Sequence, residues 1–454
     1  MTILDEIILT KKEEVKELYS NYNIEQLQKE VVPSSKSLYQ SIAEKAKANE
    51  YFIISEFKRR SPSAGNIGLK VNLDDQINKY IEAKVDAISV LTDQQYFGGS
   101  YADLAQAAKQ THASPTLLLN KEFIIDPIQV YLARKMGADM ILLIASVLEK
   151  DQFNSLKTLA ESLGMGVLAE IHSLSDYDKI ANLNCPVIGI NNRDLKIFKT
   201  CLNHCNYLQT KRDLSQHHII SESGIYNDLD AAIAGQSASG FLVGSSLMKN
   251  PSLIKSLKDK TKKYFFKACG QRPLLANNDH CDLIGINFSA VSKRRIDKQQ
   301  VKSENIHSKH VALFYKNVES EIEDICKNYP FTFVQLYAED VSLELADKIK
   351  QKIIIAFKSN QLDNKELIDA WASKAHFFIL DGNEPGSGSD HQSEHLTDFP
   401  YPFLLAGGMQ LSNLDRLIHL KNCIGVDIAS GIETNQKWDA NIIKQIHTKL
   451  STFQ

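Results

Sequence analysis

The sequence predicts an α/β protein built as two tandem (βα)8 barrels, the first with an N-terminal helical extension. Three observations carry that expectation. Short apolar runs recur at spacings of roughly 20–35 residues and alternate with helix-like segments, the rhythm of parallel strand–helix units. There are eight such runs, then a charged stretch, then eight more. None shows a clean polar/apolar alternation, which favours strands buried on both faces in closed barrels over a half-exposed open sheet.

The N-terminal stretch MTILDEIILTKKEEVKELYS carries Asp5 and Glu6 where a secretory leader would be basic. Its apolar residues Ile3, Leu4, Ile7, Ile8, Val15 and Leu18 recur at helical spacing. The segment from Met1 to about Glu50 therefore reads as helices packed over or beside the first barrel. The first set of strands is expected at 51–58, 85–93, 116–121, 139–146, 165–172, 186–192, 218–223 and 240–245. The stretch SLKDKTKK at 256–263 prolongs the last helix and places a boundary near Lys260, dividing the chain into 1–260 and 261–454. The second set is expected at 264–269, 283–289, 310–315, 331–337, 352–358, 376–381, 403–408 and 424–430. It occupies fewer residues and reads as a more economical copy of the same architecture.

Composition excludes several classes of function. Lys plus Arg total 52 and Asp plus Glu 55, so the formal charge of −3 offers no footprint for nucleic acid. No run approaches the roughly 18–20 apolar residues that cross a bilayer. The seven cysteines fall at irregular spacing and suggest no disulfide framework, so a cytoplasmic protein is expected. Cys201, His204 and Cys205 lack a second ligand cluster and read as a helix surface rather than a metal site.

A phosphate commonly sits at the loops after strands seven and eight of such barrels, where glycine lets backbone N–H groups approach an anion. The first half offers Ser221-Glu222-Ser223-Gly224 and Gly244-Ser245-Ser246 at those places. The second half offers Gly407-Gly408 and Ser430-Gly431. The matched pairs imply two sites for phosphorylated small molecules.

Catalytic groups in this architecture come from the C-terminal ends of the strands. In the first half these are Glu56, Lys58, Lys121, Glu170 and Asn191, with Arg193 just beyond. Glu56 and Lys58 are two apart on one strand and share a face. Such ammonium and carboxylate groups suit acid–base work on a carbonyl or hydroxyl oxygen. The segments Glu56-Phe-Lys-Arg-Arg-Ser-Pro-Ser63, Asn120-Lys-Glu-Phe-Ile-Ile-Asp126, Leu168-Ala-Glu-Ile-His172, Ile188-Gly-Ile-Asn-Asn-Arg-Asp194 and Ser221-Glu-Ser-Gly224 resemble indole-3-glycerol phosphate synthase. The resemblance runs from about Ile3 to about Leu257. It implies closure of a carboxyphenylamino-deoxyribulose phosphate to the indole with loss of CO2 and water. Lys121 would be the general acid on the ketone, with Glu170, Glu56 and Lys58 handling protons in the dehydration. Asn191 and Glu222 would hold substrate hydroxyls and the lysine network. Phe97 and Phe123 would wall the anthranilate ring, while Ser61, Arg193, Ser223, Gly224, Gly244 and Ser245 would contact anionic groups. The family more often has Cys before the lysine and Asp after it, so Asn120 and Glu122 depart from its pattern.

In the second half the first strand ends in Lys267-Ala-Cys269-Gly270 and the sixth in Leu380-Asp381-Gly382. A thiol and a carboxyl at one barrel mouth make a base–acid pair suited to isomerising a sugar phosphate. With Ser292-Lys-Arg294, Gln335-Leu336, Gly386-Ser-Gly388, Leu405-Ala-Gly-Gly408 and Gly425-Val-Asp-Ile-Ala-Ser-Gly431, this half resembles phosphoribosylanthranilate isomerase. The implied reaction is an Amadori rearrangement in which Asp381 protonates the ring oxygen and Cys269 removes the C2 proton. Arg294 would pair with the anthranilate carboxylate. Gly407, Gly408, Ser430 and Gly431 would hold the phosphate, with Gly386 and Gly388 in a loop over the substrate. Tyr337-Ala338 stands where the family commonly has His-Gly, and Ser389-Asp-His391 where an aromatic pair is usual.

Together the two resemblances imply fused TIM barrels catalysing consecutive steps of tryptophan biosynthesis, with no metal or organic cofactor. The expected partners are small phosphorylated anthranilate-derived substrates, and the expected state is a monomer. The departures leave open an alternative, a synthase whose C-terminal barrel is not catalytic.

Overall fold

The computed structural model describes residues 3–62, 65–69, 71–194, 199–270, 279–383 and 396–453. Gly386 and Gly388 lie outside the described residues, as do Ser389 to His391. The chain divides into two compact units: Met1–Thr200 with Leu208–Lys260, and Cys201–Tyr207 with Thr261–Gln454. Cys205, expected on a helix surface, is buried.

Every expected strand forms. In the first unit these are β1 (Phe52–Phe57), β2 (Ala87–Leu91), β3 (Leu117–Lys121), β4 (Met140–Ile144), β5 (Gly166–Ile171), β6 (Val187–Asn191), β7 (His218–Glu222) and β8 (Gly240–Val243). They pair in sequence order, all parallel, and β1 closes on β8 to complete a barrel. Alternate residues (Phe52 and Ile54, Leu117 and Leu119, Met140 and Leu142) share one apolar cluster with Leu168, Val187, Ile220 and Leu242. This is the period-two pattern of a barrel interior packed in layers.

Three helices precede β1: α1 (Ile3–Asn21), α2 (Ile24–Glu30) and α3 (Leu38–Lys47). Leu38 and Ile42 of α3 belong to the interior cluster near the first residues of β1 and β5, so α3 stops the N-terminal end of the barrel. At the other end, Ile3, Leu4 and Ile7 of α1 help line the mouth.

The apolar stripe of α1 contains a surprise. Lys11, one turn beyond Ile7 and one turn before Val15, is 1% exposed. Its Nζ lies 2.9 Å from Asp93 Oδ2, 3.0 Å from Glu122 Oε1 and 2.6 Å from Glu14 Oε2. Burial works against its charge, but Glu122 and Asp93 outweigh that cost and raise its pKa. Asp93 also accepts the backbone N–H groups of Tyr96 and Phe97, and Glu122 accepts that of Phe123. One lysine thus fastens α1 to two mouth loops.

The second barrel comprises β9 (Phe265–Cys269), β10 (Leu283–Asn287), β11 (His310–Leu313), β12 (Phe333–Tyr337), β13 (Lys352–Lys358), β14 (Phe377–Asp381), β15 (Phe403–Leu405) and β16 (Cys423–Ile428). It too is parallel, in sequence order, and closed by β9 on β16. Its economy comes from tight connections. Short 3₁₀ turns at Lys298–Gln300 and Ser303–Asn305 link β10 to β11, and a 3₁₀ segment, Leu411–His419, links β15 to β16. β15 ends three residues before the expected 408, because Gly407 and Gly408 adopt φ of +72° and +64° and turn out of the ladder. Among the described residues no helix is long and apolar enough to cross a membrane.

Lys11→Met should leave Asp93 and Glu122 buried without a cation, a loss of about 3–5 kcal/mol. The expected outcome in the intact chain is a marked fall in amide-exchange protection across residues 3–21. Unchanged protection there would show that the lysine does not secure the helix.

Candidate active sites

Barrel closure gathers the strand ends of the first unit around one cavity. Glu56, Lys58, Ser61, Phe97, Lys121, Phe123, Glu170, Asn191, Arg193, Glu222, Ser223, Gly224, Gly244 and Ser245 all line it. The Lys121 ammonium stands 2.7 Å from Glu222 Oε2 and 3.2 Å from Glu170 Oε2. Glu170 in turn accepts a hydrogen bond from Asn191 Nδ2 at 3.2 Å and has His172 Nε2 at 3.2 Å. Glu56 and Lys58 form an ion pair, as their shared face requires. The Phe97 and Phe123 rings face each other at 6.0 Å between centroids.

Electrostatics separates the two carboxyls that share Lys121. Burial and the neighbouring Glu170 charge push Glu222 up to about 8 against the pull of Lys121. Burial would raise Glu170 as well, but Lys121, His172 and Asn191 overcome it and hold that carboxyl well below its ordinary value. Burial opposes the charge of Lys121 too, and Glu222, Glu170 and Glu56 more than restore it. Glu56 is likewise kept ionised against burial by Lys58 and Lys121. The cavity thus holds a cation, ionised carboxylates and one carboxyl that burial and the Glu170 charge push toward its protonated form, groups suited to proton transfer between oxygens.

Two glycines make room for this cluster. A Cβ on Gly189 would fall 2.0 Å from Glu222 Oε1, and one on Gly244 would fall 2.7 Å from Glu56 Oε1 and 3.1 Å from Lys58 Nζ. Gly244, read from the sequence as an anion contact, is therefore also required by the ion pair beside it. The sequence placed helices over or beside the barrel, and α1 takes the position over the mouth, with Ile3, Leu4 and Ile7 in the cavity wall.

In the second barrel one cavity is bordered by Cys269, Arg294, Tyr337, Asp381, Gly407, Gly408, Asp427 and Ser430. Gly431, expected at the phosphate, is not in its wall; a Cβ there would meet the Met409 carbonyl oxygen at 2.2 Å, so its glycine serves close packing. Cys269 ends β9 and Asp381 ends β14, three steps apart around the closed sheet. Two residues before Cys269 on the same strand is a fully buried lysine, Lys267, with Nζ 2.9 Å from Asp427 Oδ2; Lys267 and Asp427 are register partners on β9 and β16. Burial pushes the Cys269 thiol up to about 11, with Lys267 working in the opposite direction. A Cβ on Gly285 would come within 2.9 Å of its Sγ.

Asp381 is pushed up to about 6, first by burial and then by the Asp427 charge. Two donors resist that rise. The Tyr337 hydroxyl donates to Oδ2 at 2.9 Å and the Gly382 N–H to Oδ1 at 2.8 Å. Tyr337 thus supplies a hydrogen-bond donor at the position where the resembled family carries histidine. Arg294 is held by Glu433, with Nε 2.8 Å from Oε1 and Nη2 2.7 Å from Oε2. Lys267, Asp427 and Glu433 were not singled out as site residues from the sequence; a lysine two residues before Cys269 on one strand was the only local signal for the first.

Two closed barrels of parallel strands, each with an acid–base constellation at its C-terminal rim, define a double-barrel enzyme with a site in each unit. Residues 4–259 match the family model for indole-3-glycerol phosphate synthase, and residues 274–449 that for N-(5'-phosphoribosyl)anthranilate isomerase. The Tryptophan biosynthesis protein TrpCF of Vibrio cholerae is 33% identical over 432 residues, covering 92% of this chain and 90% of that one. Its counterpart in Helicobacter pylori strain 26695 is 32% identical over 447 residues, covering 95% of each. That of Buchnera aphidicola subsp. Diuraphis noxia is 30% identical, covering 100% of this chain and 99% of its own. The chain belongs to this TrpCF family and is a bifunctional tryptophan-biosynthesis enzyme, an indole-3-glycerol phosphate synthase joined to a phosphoribosylanthranilate isomerase.

Removing the Tyr337 hydroxyl takes a donor from the ionised Asp381, so Tyr337→Phe should keep this carboxyl protonated to higher pH, by about one pH unit. Carboxyl ¹³C NMR titration of aspartate-labelled protein, with Asp381→Asn to assign the resonance, is the check. A titration that stays put or moves down would contradict the hydrogen-bond account.

Proposed function

We propose that residues 261–454 isomerise N-(5-phosphoribosyl)anthranilate to 1-(2-carboxyphenylamino)-1-deoxyribulose 5-phosphate, and that residues 1–260 convert this product to indole-3-glycerol phosphate. In the isomerase, Asp381 gives its proton to the ribose ring oxygen as the C1–O bond breaks, leaving an iminium between C1 and the anthranilate nitrogen. The Cys269 thiolate then removes the C2 proton, and the electrons of that bond form the enolamine that tautomerises to the ketone. The buried Lys267 ammonium favours the thiolate, and so does the cationic iminium once it forms. Arg294 takes the anthranilate carboxylate, while Gly407, Gly408 and Ser430 receive the phosphate.

In the synthase, Lys121 protonates the ketone oxygen as the ring carbon bearing the carboxylate attacks it. Loss of CO2 restores the aromatic ring. The new hydroxyl then departs as water, with Glu56, Lys58 and Glu170 managing the protons. Glu222 and Asn191 hold Lys121 and the substrate hydroxyls, Phe97 and Phe123 flank the anthranilate, and Ser61, Arg193, Ser223, Gly224, Gly244 and Ser245 take the anionic groups. Support for the phosphate end comes from the short helix Ser245–Lys249, which begins at the cavity wall. The protein is proposed to act in the cytoplasm as a monomer.

The observation that carries this reading is the presence of two complete acid–base sets, one in each cavity: Lys121 between Glu170 and Glu222, and Cys269 with Asp381. The test is a pair of assays on purified protein, following the fluorescence loss of phosphoribosylanthranilate and the formation of indole-3-glycerol phosphate. Cys269→Ala should lower only the first activity and Lys121→Ala only the second, each by roughly 10²–10⁴-fold. A wild-type protein that converts supplied aminoketose but never consumes phosphoribosylanthranilate would leave the second barrel without its proposed role.

A further inference from the structure

We infer that Glu433 is the positioning residue for Arg294, holding the guanidinium that grips the substrate's ring carboxylate. The inference rests on the isomerase reading above and extends it to a residue outside the acid–base set.

An arginine on a loop has many rotamers, and fixing it costs entropy unless something else holds it first. Here Glu433 holds the Nε/Nη2 edge of the guanidinium in a two-bond fork, at 2.8 and 2.7 Å. That uses two of the five N–H donors and leaves the Nη1 side for a second planar carboxylate. Gly270, at φ +90°, leaves the lane along which the arginine stem runs; a Cβ there would fall 2.6 Å from Arg294 Cδ.

Glu433 is itself fixed to the phosphate end. Its backbone N–H donates to the Ser430 carbonyl, closing the 3₁₀ turn Ser430–Ile432 whose first residue lines the cavity. It then opens a two-residue antiparallel ribbon in which Glu433 pairs with Trp438 and Thr434 with Lys437. The ribbon turns through Asn435 and Gln436 at φ of +54° and +61°, the double left-handed turn that matches strand twist. Ile432, beside Glu433, is fully buried. A short, stiff path therefore runs from Ser430 through Glu433 to Arg294.

The placement has an electrostatic cost that makes it testable. A carboxylate beside an anion site weakens the attraction of Arg294 for a second carboxylate. If Glu433 were merely a competitor, removing it would tighten substrate binding. If it positions Arg294, removing it loosens binding, and only for ligands that carry the ring carboxylate.

The test uses the intact protein with Glu433→Gln, Arg294→Ala and the double variant. Two reduced product analogues serve as probes: a (2-carboxyphenylamino)-deoxypentitol phosphate and its phenylamino counterpart lacking the carboxylate. Glu433→Gln is expected to weaken the carboxylated probe by about tenfold and the other by less than about twofold. Isomerase KM should rise more than kcat falls, and the variant should add nothing in the Arg294→Ala background. Equal losses for both probes would reduce Glu433 to a structural role, and tighter or unchanged binding of the carboxylated probe would overturn the inference. Wild-type isomerase turnover, measured alongside, separates the cases: without it the isomerase reading itself fails, and with it only the role of Glu433 is at stake.

Discussion

Lys121 stands between two buried carboxyls, Glu222 at 2.7 Å and Glu170 at 3.2 Å, and in the second barrel Lys267 stands 2.9 Å from Asp427. Neither lysine could remain charged in such a place alone, and neither could the carboxylates. The neighbouring groups inherit their chemistry from this mutual neutralisation. In the first barrel Lys121, His172 and Asn191 hold Glu170 in its ionised form, while burial and the Glu170 charge push Glu222 up. In the second, Asp427 is occupied by Lys267, and its charge helps to lift Asp381 to about 6. A carboxyl that keeps its proton toward neutrality is what protonating a ring oxygen demands.

Space is the second constraint. The reacting groups crowd the strand ends, and glycines on adjacent strands or loops admit them. Gly189 leaves room for Glu222, Gly244 for the Glu56–Lys58 pair and Gly285 for the Cys269 thiol. In each case the nearest atom that an added Cβ would meet belongs to a chemical group of the site, so a side chain at any of these positions would displace a group of the site.

Three of the departures from the resembled families, Asn120, Glu122 and Tyr337, have partners in the structure. Asn120 and Glu122 flank Lys121, and the Thr92 hydroxyl lies 2.9 Å from Asn120 Oδ1 and 2.7 Å from Glu122 Oε2, donating to one of them. Glu122 also receives Lys11 from α1, so the longer acidic side chain is what the helix above the mouth binds. Tyr337 likewise retains a donor toward Asp381. These residues change the partners around the chemistry while its charged groups keep theirs.

The architecture and most of the site-lining residues were legible in the sequence, because strand periodicity and position at a strand end are local properties. The runs that predicted β1 to β16 needed no knowledge of their neighbours, and alternate residues at a C-terminal strand end face the mouth once a barrel closes. Closure and register decided the rest. That Lys11 is buried, that Glu222 rather than Glu56 lies closest to Lys121, that Gly431 packs against Met409 and that Glu433 grips Arg294 are contacts between segments far apart in the chain. The hydrophobic pattern of α1 even argues for an apolar residue at position 11; two acids on distant loops make a lysine stable there. Local pattern determined which side chains reach each mouth, and only the tertiary structure decided which charges meet, because the energy of a buried charge depends on partners that the chain brings together by folding.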